Sequence, residues 1–535
     1  MRDLTRAPIP WTLALCVAAL ALACRPDTPR ARRVLVVGWD GATFDLIDPL
    51  LKEGRLPNVA RLLARGQSAT LESTAVPISS AAWTTLATGK EPGETGVYSF
   101  FQPIEGTYDV RVVSARDLCA APLWRTLVAR GHEVVVWGVP VTWPAEPVDG
   151  VLVAGMLSPE DQVWTHPPAL TETLRARGLA PDLGVWRTLR ELTPERVSQQ
   201  LALKEAAVVE ALRATHWSFA LVVFKELDVL SHRVFDTNTR GPIAALLDDL
   251  DTSLGRLLEA AGSDTDVFLV SDHGFTTYRK VFDLDAWLLQ EGFATRSEGA
   301  TLDGRSEGPL ATARANERGA RLGRLAWSAT RAFADVAEGN FAALRLNVVG
   351  REPQGAVADS ARDATLEALE ARLAALEFPA GVKVVRRTWR GAALYPGPER
   401  ERVVPDLIVE LEPSWRAVTS GLGPVFAASE LAFPEHARDG ICVAAGPSIP
   451  AASRALERPR WALRDLAPTW LHLLAEPIPS GMRGAVRFDD ARHVLRIDER
   501  DDPSQRTTEA AYSGLPTQNE SSEVRRRLSS LGYAD

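Results

Sequence analysis

Val34-Leu35-Val36-Val37-Gly38-Trp39-Asp40-Gly41 sets the reading of the whole chain. Four apolar residues, three of them β-branched, form a run too short for a helix. It closes on a carboxylate and a glycine. Such a run predicts a strand buried on both faces. The same arrangement recurs. Phe219 to Phe224 leads into Lys225-Glu226-Leu227-Asp228 and then His232, and Val267 to Val270 leads into Ser271-Asp272-His273-Gly274. Glu133 to Trp137, Val151 to Ala154, Leu407-Ile408-Val409 and Ile441 to Ala444 read as further strands. Helical patterns lie between them. Thr193 caps one helix that begins at Pro194, and Pro242 opens another through Leu246, Leu250, Leu254 and Leu258. Strands alternating with helices predict an α/β fold whose parallel sheet is covered on both faces.

Ligands of an open parallel sheet gather outside the carboxyl ends of its strands. Three strand exits here carry carboxylates, Asp40, Asp228 and Asp272, and two add an imidazole, His232 and His273. A third imidazole, His436, precedes the strand at Ile441. Each residue alone has an ordinary alternative. Asp-Gly after a strand is a common turn, Asp228 with His232 fits a helix-surface pair, and a lone His436 fits a satisfied histidine. Together, three carboxylates and three imidazoles suit two zinc-like ions. A hydroxyl candidate sits apart. Pro77-Ile78-Ser79-Ser80 leads into Ala81 to Thr88 and then Gly89, a loop entering a helix. A hydroxyl at a helix start faces free N–H groups and the positive end of the dipole, which suits phosphate binding. The other reading of Ser79 is a simple helix cap.

The chain has 535 residues, 46% of them hydrophobic. At roughly 150 residues per domain that allows about three units, although large α/β enzymes hold such length around one sheet. The net charge of −9 argues against a nucleic-acid groove. It leaves anionic substrates open, because bound metal ions reverse the local field.

Arg2, Arg6 and the apolar run Trp11 to Ala23 read as a signal peptide over residues 1–24. Ala21-Leu22-Ala23-Cys24 resembles a bacterial lipobox, with Leu expected where Ala21 stands; ordinary cleavage after Ala23 is the alternative. Lipidation of Cys24 would tether the protein to the cell envelope, facing the periplasm or the exterior. Cys119 and Cys442 lie beyond the leader and could pair or stay as thiols. The expected organisation is a linker at 25–33, a catalytic core at 34–290, an insertion or cap at 291–400, the rest of the core at 401–490 and a polar tail at 491–535. The weakly patterned Thr301 to Arg331 belongs to the insertion, and Glu523 to Leu531 forms an amphipathic segment in the tail.

This set of residues, in this chain order, resembles the alkaline-phosphatase superfamily, and within it the type I phosphodiesterase and nucleotide pyrophosphatase group. Leu56-Pro57-Asn58, Trp83-Thr84, Ala87-Thr88-Gly89-Lys90, Gly350-Arg351-Glu352-Pro353-Gln354-Gly355 and Asp465-Leu466-Ala467-Pro468-Thr469 are similar to the family's flanks. The resemblance covers roughly residues 34 to 487. It implies a three-layer sandwich with a mostly parallel central sheet and an inserted cap. It also implies two divalent metal ions, zinc first and manganese as the alternative. Asp40, Asp272, His273 and Ser79 would hold one, and Asp228, His232 and His436 the other. Ser79 would be the nucleophile of a phosphodiesterase or pyrophosphatase acting on a small-molecule or headgroup phosphoester. The sequence departs from the pattern at Ala81 and Ala82, where the phosphodiesterase branch carries Pro and an oxygen-binding Asn. The Cys/Ser-x-Pro-x-Arg signature of sulfatases is missing around Ser79. A phosphate monoesterase, a sulfatase-like hydrolase or a non-catalytic binding protein of the same fold remain the alternatives.

Overall fold

The structure, a computed structural model, describes residues 32–181, 192–298, 322–379, 381–451, 457–488 and 496–498. The leader with Cys24, most of Thr301 to Arg331 and the tail segment at 523–531 lie outside the described residues.

A nine-stranded sheet forms the centre, in the order Arg460–Ala462, Gln67–Glu72, Asp439–Ala445, Thr265–Val270, Arg33–Trp39, Phe219–Phe224, Val134–Val139, Gly150–Ala154, Thr165–His166. Only Asp439–Ala445 and Thr165–His166 run against the rest. The middle strands are buried at nearly every position, as expected of a sheet covered on both faces. Helices Pro194–Ala214 and Pro242–Ala261 pack on each other, and both begin as the sequence predicts. The Thr193 hydroxyl accepts from the Arg196 N–H and caps the first of them.

The parallel register places the chemistry. Trp39 lies opposite Phe224, and Gly38 opposite Val270. The residues that follow, Asp40, Lys225 and Asp272, therefore emerge side by side at the carboxyl edge. The Asp40 N–H still donates to the Phe224 carbonyl at 3.0 Å, so the first strand holds its neighbour up to its last residue. Gly41 then turns the chain away with φ +75°, and a Cβ there would lie 3.2 Å from the Asp228 backbone. Glycine is required on both counts.

A second core lies beside the first, built on Trp287, Leu344, Leu346, Leu369, Leu407, Val409 and Trp415. Its antiparallel sheet runs Ala332–Glu338, Phe341–Leu346, Leu407–Leu411, Val385–Arg390. The strand containing Leu407-Ile408-Val409, grouped by its sequence with the main sheet, belongs here. An apolar β-branched run has the same character in either sheet, and only its distant partners separate them. The long strand Gly274–Asp283 starts at the carboxyl edge and ends in this second core, pairing with Phe426–Ala437. Cys119 and Cys442 are free thiols, the latter fully buried. Among the described residues, no helix is long and apolar enough to cross a membrane.

Candidate metal centre and nucleophile

All seven residues singled out in the sequence converge. Asp40, Asp228, Asp272 and His273 follow their strands at the carboxyl edge, and His232 lies one helical turn beyond Asp228 on the helix Glu226–Val234. His436 arrives on Phe426–Ala437, the strand paired with Gly274–Asp283, and Phe275, opposite it in register, packs edge-on to both His232 and His436. Six of the seven are at most 1% exposed, and the His232 side chain is 6% exposed.

Ser79 is the first residue of the helix Ser79–Thr88, which opens after Ile78 and closes on Gly89 at φ +65°. The Ala82 N–H reaches back to the Ile78 carbonyl, so the N–H groups of the first turn have no partner within the helix. The Ser79 hydroxyl lies 3.2 Å from His273 Nε2. Ser79 does not cap its own helix: the N-cap position is Ile78, which has no side chain to do so.

Two imidazoles have tautomers fixed by their surroundings. His273 Nδ1–H donates to the Gly274 carbonyl at 3.0 Å, and His436 Nδ1–H to the Pro77 carbonyl at 2.9 Å. A carbonyl only accepts, so each Nε2 turns a lone pair into the site. His273 Nε2 stands 3.4 Å from Asp40 Oδ1 and 3.6 Å from Asp272 Oδ2. His436 Nε2 stands 3.1 Å from Asp228 Oδ1 and 3.0 Å from His232 Nε2, and His232 Nε2 is 3.5 Å from the same Asp228 oxygen. Lone pairs facing lone pairs at these distances repel unless a metal ion or a shared proton lies between them. Ligands of a tetrahedral ion with bonds of about 2.0–2.1 Å stand about 3.3 Å apart, the spacing found in both groups. The two groups adjoin through the stacked rings of His273 and His436, 3.8 Å between centroids.

Asp40 Oδ1 and both oxygens of Asp272 are buried without a hydrogen-bond partner. Burial, and Asp40 beside it, push the Asp272 carboxyl well above the usual range. Burial drives the His273 imidazolium down to about 3, helped by His436. A carboxylate that resists ionisation alone and an imidazole held neutral are both relieved by a bound cation. The residues present therefore fit divalent metal ions. Asp40, Asp272 and His273 can hold one ion. Asp228 with His273 and His436, or His232 with Glu435 and His436, can hold another.

These residues match a known pattern along the chain. The family described as type I phosphodiesterase / nucleotide pyrophosphatase matches residues 34–435. The chain belongs to that family. Phosphodiesterases of this family are phosphoric ester hydrolases, and this chain is an enzyme of that class. No curated protein matches it at a significant level. Among solved structures, the phosphonoacetate hydrolase of Sinorhizobium meliloti 1021 in complex with phosphonoformate shares the fold with a TM-score of 0.55. It is 16% identical, over 83% of this chain and 95% of that one. An inactive murine ectonucleotide pyrophosphatase / phosphodiesterase 5 in complex with AMP gives a TM-score of 0.50. It is 14% identical, over 87% of this chain and 97% of that one. At such distances the likeness establishes the alkaline-phosphatase-like fold.

The phosphodiesterase site also contains residues that the sequence alone did not single out. Trp83 Nε1–H donates to Asp40 Oδ2 at 2.7 Å and fixes which oxygen faces the ligands. Glu338, from the tip of a second-sheet hairpin, places Oε1 3.2 Å from His436 Nδ1. Glu435 lies 3.9 Å from His232 Nδ1, and although burial opposes it, Arg416 and His232 hold its carboxyl down at about 2. Lys225 places Nζ 2.9 Å from Asp40 Oδ2 and 3.3 Å from Ser79 Oγ. A lysine directly after six buried strand residues was the legible sign for Lys225. Glu338 had none.

Proposed function

We propose that this phosphodiesterase-family enzyme hydrolyses phosphoesters through a covalent phospho-Ser79 intermediate, with two divalent cations, zinc first. Asp40, Asp272 and His273 would hold one cation beside Ser79, and Asp228, His232 and His436 the other. The observation that carries this reading is the buried Ser79 hydroxyl 3.2 Å from His273 Nε2, beside carboxylate oxygens of Asp40 and Asp272 that have no hydrogen-bond partner. Bound there, the ions supply Lewis-acid charge at the attacking and leaving oxygens of an in-line displacement.

The chain's own groups do the rest. Ser79 Oγ gives up its proton and forms a bond to phosphorus as the bond to the leaving oxygen breaks, and that oxygen departs with the electron pair and takes up a proton. A water oxygen then bonds to phosphorus as the Oγ–P bond breaks, releasing the phosphate product and returning a proton to Ser79, so one difficult step becomes two easier ones. The free N–H groups of the helix start offer donors to phosphoryl oxygens. Trp83, Gly274 and Pro77 hold Asp40, His273 and His436 in orientation. The complexes of the S. meliloti enzyme with phosphonoformate and of the murine protein with AMP suggest small phosphoryl anions as ligands to try.

The deciding experiment is a panel of aryl phosphate monoesters, diesters and sulfate esters offered to the purified, zinc-loaded protein. Turnover of a phosphate ester is expected. Turnover of sulfate esters alone, or of none, would overturn the reading, the second outcome favouring a non-catalytic binding protein. For location, we propose a lipid-anchored protein of the bacterial cell envelope, on the strength of Ala21-Leu22-Ala23-Cys24.

A further inference from the structure

We propose that Lys225 is a catalytic residue of this site, whose ammonium holds a nonbridging oxygen of the phosphoryl group carried by Ser79. This rests on the phospho-serine reading above.

Lys225 is placed by the sheet. Phe224 is the last strand residue, opposite Trp39, so Lys225 leaves the carboxyl edge beside Asp40. Its side chain is 2% exposed. Nζ reaches Asp40 Oδ2 at 2.9 Å, Ser79 Oγ at 3.3 Å and Asp228 Oδ2 at 3.6 Å. An ammonium has three donors, and the contacts here are hydrogen bonds to Asp40 and Ser79 and an ion pair with Asp228. Two serve charge balance, since a buried ammonium needs carboxylates nearby. The third, to Ser79, does not. Asp40 Oδ2 already accepts from the Trp83 indole at 2.7 Å, so the pairing with Asp40 does not by itself require Nζ to lie against the serine.

Phosphoryl transfer spreads negative charge over the nonbridging oxygens, and preorganised charged donors there are worth most in a water-excluded site. When Oγ bonds to phosphorus, those oxygens lie one bond angle from Oγ. That is within hydrogen-bond reach of an ammonium already 3.3 Å from Oγ. Ala81 and Ala82, which follow the two serines in the first helical turn, offer no side-chain donor for that oxygen. In the resting site Lys225 donates to Oγ, and after transfer the same donor passes to the oxygen next to it. No bond other than this hydrogen bond changes at the lysine.

The test compares wild type, K225M and K225R for metal content, melting temperature, kcat on the best ester of the panel, and binding of inorganic phosphate by calorimetry. K225M is expected to keep its metal and its fold, to lose about 100- to 1000-fold in kcat and to bind phosphate at least tenfold more weakly, with partial recovery in K225R. Wild-type kcat and phosphate affinity in K225M would overturn the proposal. So would loss of metal from K225M, which would make the lysine a partner of Asp40 and Asp228 only. If K225M does not fold, K225Q replaces it with the same expectations. If the wild type hydrolyses none of the esters, the phospho-serine reading fails on its own. The phosphate titrations of wild type and variants then still decide the lysine contact.

Discussion

Ser79 and Ser80 are chemically the same, adjacent and fully buried, yet their surroundings differ completely. Ser79 Oγ meets His273 and Lys225, whereas Ser80 Oγ has no hydrogen-bond partner among the described residues. Successive helical residues diverge by about 100° around the axis, so only one of the pair can face the ligands. Ser79→Ala is therefore expected to abolish turnover with metal content near normal. Ser80→Ala should keep most activity and change stability by no more than about 1 kcal/mol. A dead S80A beside an active S79A would shift the nucleophile by one residue. Gly38 is a second decisive position. A Cβ there would stand 2.4 Å from the Trp83 ring, whose indole holds Asp40. Gly38→Ala should cost about 1–3 kcal/mol through overpacking and lower kcat as Asp40 turns, measured by thermal unfolding and assay on the same preparation. At this scale the sequence was highly informative. Five of the six ligand-type residues, all but His436, follow strand exits, where local order alone points them to one edge. Lys225 escaped because a lysine beside acidic residues has the look of a solvated surface, and the apolar strand ahead of it became a decisive sign only with the register.

At the scale of elements, the least legible contact is the hairpin joining Ala332–Glu338 to Phe341–Leu346. Its tip, Glu338-Gly339-Asn340, presses against the strand that carries His436. A Cβ on Gly339, at φ +55°, would meet the His436 carbonyl at 2.2 Å, and the Tyr278 hydroxyl donates to the same carbonyl at 3.0 Å. Glu338 reaches His436 Nδ1 from that tip. A carboxylate behind a histidine fixes its tautomer and raises its basicity, and such partners are worth about 10–100-fold in metal affinity. Glu338→Ala should weaken zinc binding by about that factor with the fold intact, read by competition with a coloured chelator. Unchanged affinity would make the contact incidental. Nothing in the sequence around Glu338 indicates this, because about a hundred residues separate it from His436 and its place depends on how two sheets pack. The strand Leu407–Leu411 was misgrouped for the same reason: its apolar character was plain, but its partner was not local.

For the molecule as a whole, the buried Asp40 and Asp272 oxygens that lack hydrogen-bond partners point toward bound cations. About two transition-metal ions per chain are expected by elemental analysis of protein purified without chelators. Their affinity should fall as pH falls. Burial opposes a charge on His436, yet Asp228 raises its pKa, so protons compete for that nitrogen early in an acid titration. Affinity that is flat with pH would remove the histidines from the ligand set. In cells, blocking lipoprotein signal peptidase with globomycin should accumulate a longer precursor if Cys24 is lipidated. Unchanged processing would leave ordinary cleavage. The row formed by Asp40, Lys225 and Asp272 also makes the molecule directional toward changes in length. Side chains alternate between faces along a strand, so deleting one residue from Phe219–Phe224 would turn Lys225, at one end of the row, to the wrong side. The opposite edge carries no such obligation: residues 262–264, before Thr265–Val270, are exposed. A library of single-residue insertions and deletions should thus split by edge. Active clones should be recovered around Ser263 and lost around Lys225, so that reagent labels and affinity handles have a natural place of attachment on the amino side of the sheet.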